Sequence, residues 1–461
     1  MKNIKISPYI FRGYDIRGIY GDDLTEEVAY KIGNIYAKIL REEYAQTRVI
    51  VGMDNRLSSK ALKTSLLEGI TEAGVNCIDI GLVTSPMLYY ANEICKLHAG
   101  IMVTASHNPK EYNGFKIAFD EKGEICGEEI EEFRDKVINS RIYTSLIKGK
   151  VINLDFKEEY IKMFLEKISL TKKLKVVIDC GNGTASIIAK DIFDKFPNLE
   201  CKYICCDSDP NFPIHHPDPA EEENLELLRE TVLRYKADIG IAFDGDCDRV
   251  GFVDNKGRIL PADYMLAIFA KNIIPNVDNK KVFFDVSCSK TLTDEIEKAG
   301  GEAVCYKTGN SYIKRKMLTC GGLFGGEISG HTFFNDKFYG FDDGIYAAFR
   351  MLEILDNTCD KLSNIMDGLI KYNSSPVIKI IVAENIKKQI VDDFKKYCIE
   401  NKYNVNVIDG ARIELENGFA LVRMSNTTPK ITVRFEGKTK EDLENIQNTF
   451  MRVLNDILSR Y

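Results

Sequence analysis

Short runs of β-branched and other apolar residues lead repeatedly through a Gly, Asp or Asn turn into stretches with apolar residues at helical spacing. This is the pattern of α/β layering. Arg48 to Asn55 (RVIVGMDN), Lys175 to Asn182 (KVVIDCGN) and Lys281 to Cys288 (KVFFDVSC) share one plan: a basic residue, an apolar run, then an Asp or Gly turn. Their spacing predicts three similar α/β domains with mixed sheets. After Ser374 the pattern changes to a strand at Val377–Val382, a charged helix at Lys387–Asn401, further strands and a final helix at Lys440–Tyr461, a smaller α+β domain. Turn and polar residues cluster near Lys150, Asp254–Gly257 and Tyr372–Pro376, which sets expected domains at 1–150, 151–254, 255–372 and 373–461.

The length of 461 residues fits this count, since domains average about 150 residues. A chain that is 44% apolar and 28% charged can build packed cores throughout. A net charge of −7 argues against a generic nucleic-acid binder and requires that any anionic substrate meet locally concentrated cations. The 13 cysteines form no repeated C-x-x-C pattern, and Cys77, Cys180, Cys288 and Cys305 sit in apolar runs, so they read as reduced core residues. The first residues reach Arg12 and Asp15 before an apolar stretch of about seven, so no signal peptide is expected. No apolar run approaches the roughly 18 residues of a membrane span. The expectation is a cytoplasmic enzyme with no membrane partner.

Four segments carry chemistry. In Thr104–Pro109 (TASHNP), Ser106 follows the apolar run Ala99–Val103 and precedes Asn-Pro, which cannot continue a sheet, so its hydroxyl is displayed on a loop as a nucleophile. His107 is not expected to pair with it, because neighbouring side chains in an extended loop diverge, and no G-x-S-x-G elbow surrounds it; hydrolase chemistry is disfavoured. In Ile239–Val250 (IGIAFDGDCDRV) an apolar strand delivers Asp244, Asp246 and Asp248 at alternating positions. Three such carboxylates repel unless a hard cation neutralises them, and oxygen ligands suit Mg²⁺; a solvated acidic turn is the alternative. An EF-hand fails, with Arg249 at its sixth position and Asn255 at its twelfth. Arg249 can instead hold a phosphoryl oxygen. In Gly325–His331 (GGEISGH), Glu327, Ser329 and His331 face one side if the loop is extended, a surface for sugar hydroxyls. In Arg423–Pro429 (RMSNTTP) a guanidinium, hydroxyls and an amide suit a phosphate monoester.

Together and in this order the four segments resemble the α-D-phosphohexomutase family, closest to its bacterial phosphomannomutase/phosphoglucomutase branch. Phe11–Gly18 (FRGYDIRG), Phe212–Pro219 (FPIHHPDP) and Gly340–Tyr346 (GFDDGIY) add to the likeness. The resemblance implies four domains around a central cleft, carrying in turn a phosphoserine loop, a metal loop, a sugar-binding loop and a phosphate-binding loop. It implies that Ser106 is the phosphoserine and that its phosphate completes a Mg²⁺ shell made by Asp244, Asp246 and Asp248. Glu327, Ser329 and His331 would meet the sugar, and Arg423, Ser425, Asn426 and Thr427 its distal phosphate. Tyr14, Arg17, Lys116 and Arg249 match positions lining the reaction centre.

The implied activity is interconversion of hexose 1-phosphate and hexose 6-phosphate, of mannose, glucose or both, through a bisphosphate intermediate. Hexose 1,6-bisphosphate is the implied activator, and the enzyme is expected as a monomer or dimer. Two positions depart from the pattern: Asn310 stands where relatives carry His, and Ser287 where they often carry Lys. Asn310 cannot shuttle a proton, so an acid/base role does not transfer there. Phosphoglucosamine mutase is the nearest alternative, disfavoured by Ile328 where that activity usually has Gln. A non-catalytic phosphosugar-binding protein would have lost Ser106 or a metal-loop aspartate, and a dinucleotide oxidoreductase fails because Ser186 interrupts the fingerprint begun by Gly181-Asn182-Gly183.

Overall fold

A computed structural model describes residues 4–425 and 430–461 and divides into two compact units. Unit one contains Met1–Leu260 and Ser329–Asn364; unit two contains Pro261–Ile328 and Ile365–Tyr461. Among the described residues no helix is long and apolar enough to cross a membrane.

Unit one opens with a six-stranded sheet of β1 (Ile16–Ile19), β2 (Arg48–Met53), β3 (Asn76–Leu82), β4 (Gly100–Val103), β5 (Tyr112–Ala118) and β6 (Val151–Asn153), in the order β1-β5-β4-β2-β3-β6. β2 is parallel to β3 and β4, whereas β5 is antiparallel to β4 and to β1, so the sheet is mixed. β6 pairs with β3 just past the junction expected near Lys150. The helix Glu26–Glu42 (α1) is capped by Thr25 and packs with Ser59–Glu72 (α2) over a core that includes Ile32, Tyr36, Leu66 and Phe115.

A second, five-stranded sheet holds β7 (Leu174–Asp179), β8 (Leu199–Ile204), β9 (Ile239–Phe243), β10 (Val250–Asp254) and β11 (Ile259–Leu260), in the order β11-β10-β9-β7-β8. β7 is parallel to β8 and β9, and β9 turns back into antiparallel β10. The helix Gly344–Asp356 belongs to this unit because Phe349 packs against Phe164, Phe193 and Phe196 at ring separations of 5.4, 4.5 and 4.6 Å.

In unit two, Lys281–Asp285 lies between parallel neighbours Glu302–Tyr306 and Phe324–Gly326. All three segments that share one sequence plan are thus central strands with a parallel neighbour on each side, the position in which an apolar run is buried on both faces. The C-terminal sheet is antiparallel, with Gly418–Met424 and Lys430–Gly437 at its centre and the helices Lys387–Glu400 and Lys440–Leu458 sharing its core. Thr439 and Asp442 form a capping box at the start of the last helix. Buried Arg412 fastens this sheet to the loop after Lys281–Asp285, donating to the carbonyls of Val286 and Cys288 at 2.6 Å each.

Candidate active site

Two loops of unit one meet at the carboxyl ends of parallel strands, where α/β sheets place ligands. One follows β4 and carries Ser106; the other joins β9 to β10 and carries the three aspartates. The strand ends at Phe243, so the aspartates lie on a hairpin loop, and loop folding rather than strand alternation brings them together. One ligand atom from each of Asp244, Asp246 and Asp248 lies within 4.8 Å of the others.

Ser106 differs from its expectation in two ways. It is displayed on a strand-end loop but is only 1% exposed, because the aspartate loop closes over it. A Cβ on Gly245 would lie 2.4 Å from the Ser106 carbonyl oxygen, so only glycine fits there. The loop is also not extended: Ser106 has φ 50°, and this left-handed turn brings its Oγ to 3.2 Å from His107 Nδ1, correcting the expectation that the two side chains diverge. Burial, then the nearby Arg249 and Arg17, push the His107 pKa well below the ordinary imidazole value. The Ser106 hydroxyl donates to Asp244 Oδ2 at 2.8 Å.

Cations surround these carboxylates. Register places Arg17 opposite Gly114, two residues from Lys116, so both basic side chains leave the same face of the first sheet. Lys116 Nζ donates to Asp246 Oδ2 at 2.7 Å and also to Asp248 Oδ2. Asp246 Oδ2 further accepts from Ser85 Oγ at 2.6 Å and Thr104 Oγ1 at 3.2 Å. Burial raises the pKa of Asp246, but Lys116 outweighs it and holds this carboxyl well below the usual range. Burial and then the neighbouring carboxylates raise Asp244, with Asp248 its strongest neighbour. Arg249 Nε stands 3.9 Å from Asp244 Oδ2 and donates to His331 Nε2 at 2.9 Å. His331 Nδ1 lies 2.9 Å from Asp342 Oδ2. Arg17 donates to Asp15 Oδ2 at 2.7 Å and Asn108 Oδ1 at 2.5 Å, and half-buried Tyr14 is close enough to act electrostatically on both Arg17 and Arg249.

The donor set fits a hard divalent cation. Asp246 Oδ1 and Asp248 Oδ1 are buried with no hydrogen-bond partner among the described residues, an unfavourable state that a cation would relieve. All the ligand atoms are oxygens, as Mg²⁺ prefers.

Sequence reasoning missed Arg56. Its guanidinium is buried and donates to the carbonyls of Ser106 (2.7 Å), Asn108 (2.6 Å), Pro109 (2.7 Å) and Tyr112 (3.0 Å), so it holds the serine loop in shape. The available signal was Asp54-Asn55-Arg56 at the end of β2, where a charged pair follows a buried strand.

The other expected residues divide between the units. The segment after Phe324–Gly326 turns at Ile328–Ser329, with Gly330 at φ 100°, so alternation does not set which way Glu327, Ser329 and His331 face. His331 and half-buried Ser329 belong to unit one, Glu327 to unit two. There Glu327 Oε1 accepts from Gly309 N at 2.5 Å, and Asn310 Oδ1 accepts from Ser311 N at 2.8 Å at the start of its helix. Arg423 Nε donates to Asp409 Oδ2 at 3.0 Å, and the same oxygen accepts from Thr308 N at 3.1 Å. Arg423 Nη2 is buried without a hydrogen-bond partner among the described residues. Ser425 N donates to Lys430 O at 2.9 Å. Asn426 and Thr427 lie outside the described residues.

Four family models match in chain order: phosphoglucomutase/phosphomannomutase alpha/beta/alpha domains I (residues 8–141), II (158–257) and III (261–372), and the C-terminal domain (378–453). The chain is 42% identical over 447 residues to a phosphomannomutase/phosphoglucomutase of Pseudomonas putida, covering 96% of this chain and 94% of that one. It is 39% identical over 449 residues to a phosphoglucomutase of Neisseria meningitidis, covering 96% of each. A crystal structure of a phosphoglucomutase/phosphomannomutase family protein from Burkholderia thailandensis superposes with a TM-score of 0.91 at 35% identity, covering 98% of both chains. On this evidence the chain belongs to the phosphoglucomutase/phosphomannomutase family.

Proposed function

We propose that this phosphohexomutase converts hexose 1-phosphate to hexose 6-phosphate, and back, by relaying a phosphoryl group through Ser106. The observation that carries the reading is the Ser106 hydroxyl seated on Asp244 inside a three-aspartate loop, with Arg17, Lys116 and Arg249 close by. Asp244, Asp246 and Asp248 would hold Mg²⁺, which when bound supplies positive charge to the phosphoryl oxygens. Arg249 and Arg17 add fixed cations at the same place, and Lys116 offsets the charge of Asp246 and Asp248.

The phosphoryl group passes from Ser106 Oγ to a free sugar hydroxyl, whose proton is released, and the resulting bisphosphate returns its other phosphoryl group to Ser106. Hexose 1,6-bisphosphate therefore primes the enzyme. Tyr14, Glu327, Ser329 and His331 are assigned to the sugar, and Arg423, Ser425, Asn426 and Thr427 to its distal phosphate; the unpartnered Nη2 of Arg423 supports the second assignment. We assign domains 1–150, 151–254, 255–372 and 373–461 to the phosphoserine, metal, sugar and phosphate loops. The enzyme is placed in the cytoplasm as a monomer or dimer, acting on hexose phosphates and not on nucleic acid.

Assay of the purified protein on glucose 1-phosphate, mannose 1-phosphate and glucosamine 1-phosphate tests the reading. Both neutral sugar phosphates should be converted, each only with a trace of bisphosphate. Turnover confined to glucosamine phosphate would replace it with the amino-sugar activity.

A further inference from the structure

Away from the aspartate loop, unit one gathers a second set of ligand-bearing side chains of different chemistry. β7 and β8 run parallel and end in register at Asp179 and Ile204, so Cys205, the next residue, stands beside Asp179 at the sheet's carboxyl edge. His215 reaches the same point from the loop that follows. Its Nε2 lies 3.2 and 3.1 Å from the two Asp179 oxygens, and one ligand atom from each of Asp179, Cys205 and His215 falls within 4.8 Å of the others. Asp179 is fully buried and accepts from Gly181 N at 2.9 Å, whereas Cys205 and His215 are half-buried and so partly reached by solvent. Cys205 has φ 49°, a conformation non-glycine residues seldom adopt, which turns the chain at this point. His215 Nδ1 stands 3.0 Å from the carbonyl oxygen of His216. A carbonyl and a carboxylate only accept, so in the metal-free protein both ring nitrogens carry protons; a bound ion would displace the proton on Nε2, which faces Asp179, while Nδ1 would keep its own.

We propose that Asp179, Cys205 and His215 form a second cation site, for Zn²⁺. One carboxylate, one thiolate and one imidazole make the mixed oxygen, sulfur and nitrogen set that binds Zn²⁺ with a fourth position open, and that Mg²⁺ avoids. The two negative ligands match the charge of the ion. Such a site would act as a clip. The loop it ties down continues into Pro217, Asp218 and Pro219, which lie against the hairpin carrying the aspartates. A Cβ on Gly251 would come 2.8 Å from Pro219 Cβ, and Asp218 acts electrostatically on Arg249. Zn²⁺ binding would thereby stiffen the cover of the metal loop without entering it. Without a metal, the same residues make a hydrogen-bonded ion pair.

Metal-stripped full-length protein in millimolar Mg²⁺, which fills the all-oxygen site, is titrated with Co²⁺ as a spectroscopic stand-in and then with Zn²⁺. The expected result is one equivalent of Co²⁺ giving a near-ultraviolet thiolate-to-cobalt band that Zn²⁺ displaces. Cys205→Ser should abolish the band and Cys206→Ser should keep it. His215→Gln should weaken Zn²⁺ binding by more than about 100-fold, beyond the loss seen when only an outer partner of a ligand is removed. Zn²⁺ should also shield Cys205 of the unmodified chain from alkylation by iodoacetamide, read by peptide mass, which needs no variant to fold. A wild-type titration without the band, a band that survives Cys205→Ser, or alkylation of Cys205 unchanged by Zn²⁺ would each show an ion pair only.

Discussion

Ser106 Oγ donates to Asp244 Oδ2 across 2.8 Å, joining two residues 138 positions apart in the chain. Under the proposed relay, a hydroxyl that already touches a carboxylate of the aspartate loop would need little movement to bring a phosphate to a cation held there. Incubation with hexose 1,6-bisphosphate should therefore add one phosphoryl group to the intact mass, and Ser106→Ala should show none. Turnover of Ser106→Ala should fall by at least about 1000-fold, the scale at which a nucleophile's loss is read. Near-normal turnover by that variant would exclude the relay.

Lys116 Nζ sits between Asp246 and Asp248, all three buried. Removing one partner of a buried ion pair strands the other, a loss of about 3–5 kcal/mol. Lys116→Met should accordingly destabilise the metal-free protein by about that amount in urea unfolding, and saturating Mg²⁺ should restore a large part, because the cation can neutralise the same carboxylates. For the parent protein, exhaustive chelation should stop turnover while leaving the far-ultraviolet circular dichroism unchanged. Full activity after chelation would remove the metal from the reading.

Glu327 accepts from the backbone of Gly309, the residue before Asn310, so it shapes that loop, and the proposed function also assigns it to the sugar. Glu327→Gln keeps an acceptor for Gly309 N and removes the charge. It should lower kcat/KM for glucose and mannose phosphates by similar factors, since the two sugars differ only at carbon 2. A loss differing between them by more than about 100-fold would mean that Glu327 reads carbon 2.

The legible parts of the fold were those in which local sequence and burial agree. The runs beginning at Arg48, Lys175 and Lys281 are apolar throughout because each becomes a central strand with parallel neighbours on both sides. The aspartate loop was visible because its residues are contiguous. Lys116 and Arg17 came only through family likeness, since their convergence depends on the register of β5 against β1 and β4, which no local pattern encodes. Arg56 went unseen because its contacts are to backbone carbonyls, which any sequence offers. The Ser106–His107 contact has no local signal, because it goes with a left-handed Ser106 whose carbonyl lies against Gly245 of the distant aspartate loop, a tertiary relationship.

Asp343 gives a pH prediction with a definite sign. It caps the helix Gly344–Asp356, accepting from Tyr346 N at 2.9 Å and from Tyr160 Oη at 2.6 Å, and it is 1% exposed. Burial pushes its pKa up to about 7 from 3.8, outweighing those hydrogen bonds, with Asp342 adding to the rise. A folded pKa above the unfolded one means that the folded state holds the proton more tightly. The associated stability is then fully present below about pH 4 and lost as pH rises through about 7, on the order of 4 kcal/mol for this group alone. Asn caps helices as well as Asp and carries no charge to bury. Asp343→Asn should therefore be more stable than the parent at pH 8 and show a shallower decline of unfolding free energy between pH 4 and 7. Urea titrations of both proteins across that range make the comparison, and parallel pH curves would show that Asp343 stays ionised in the fold.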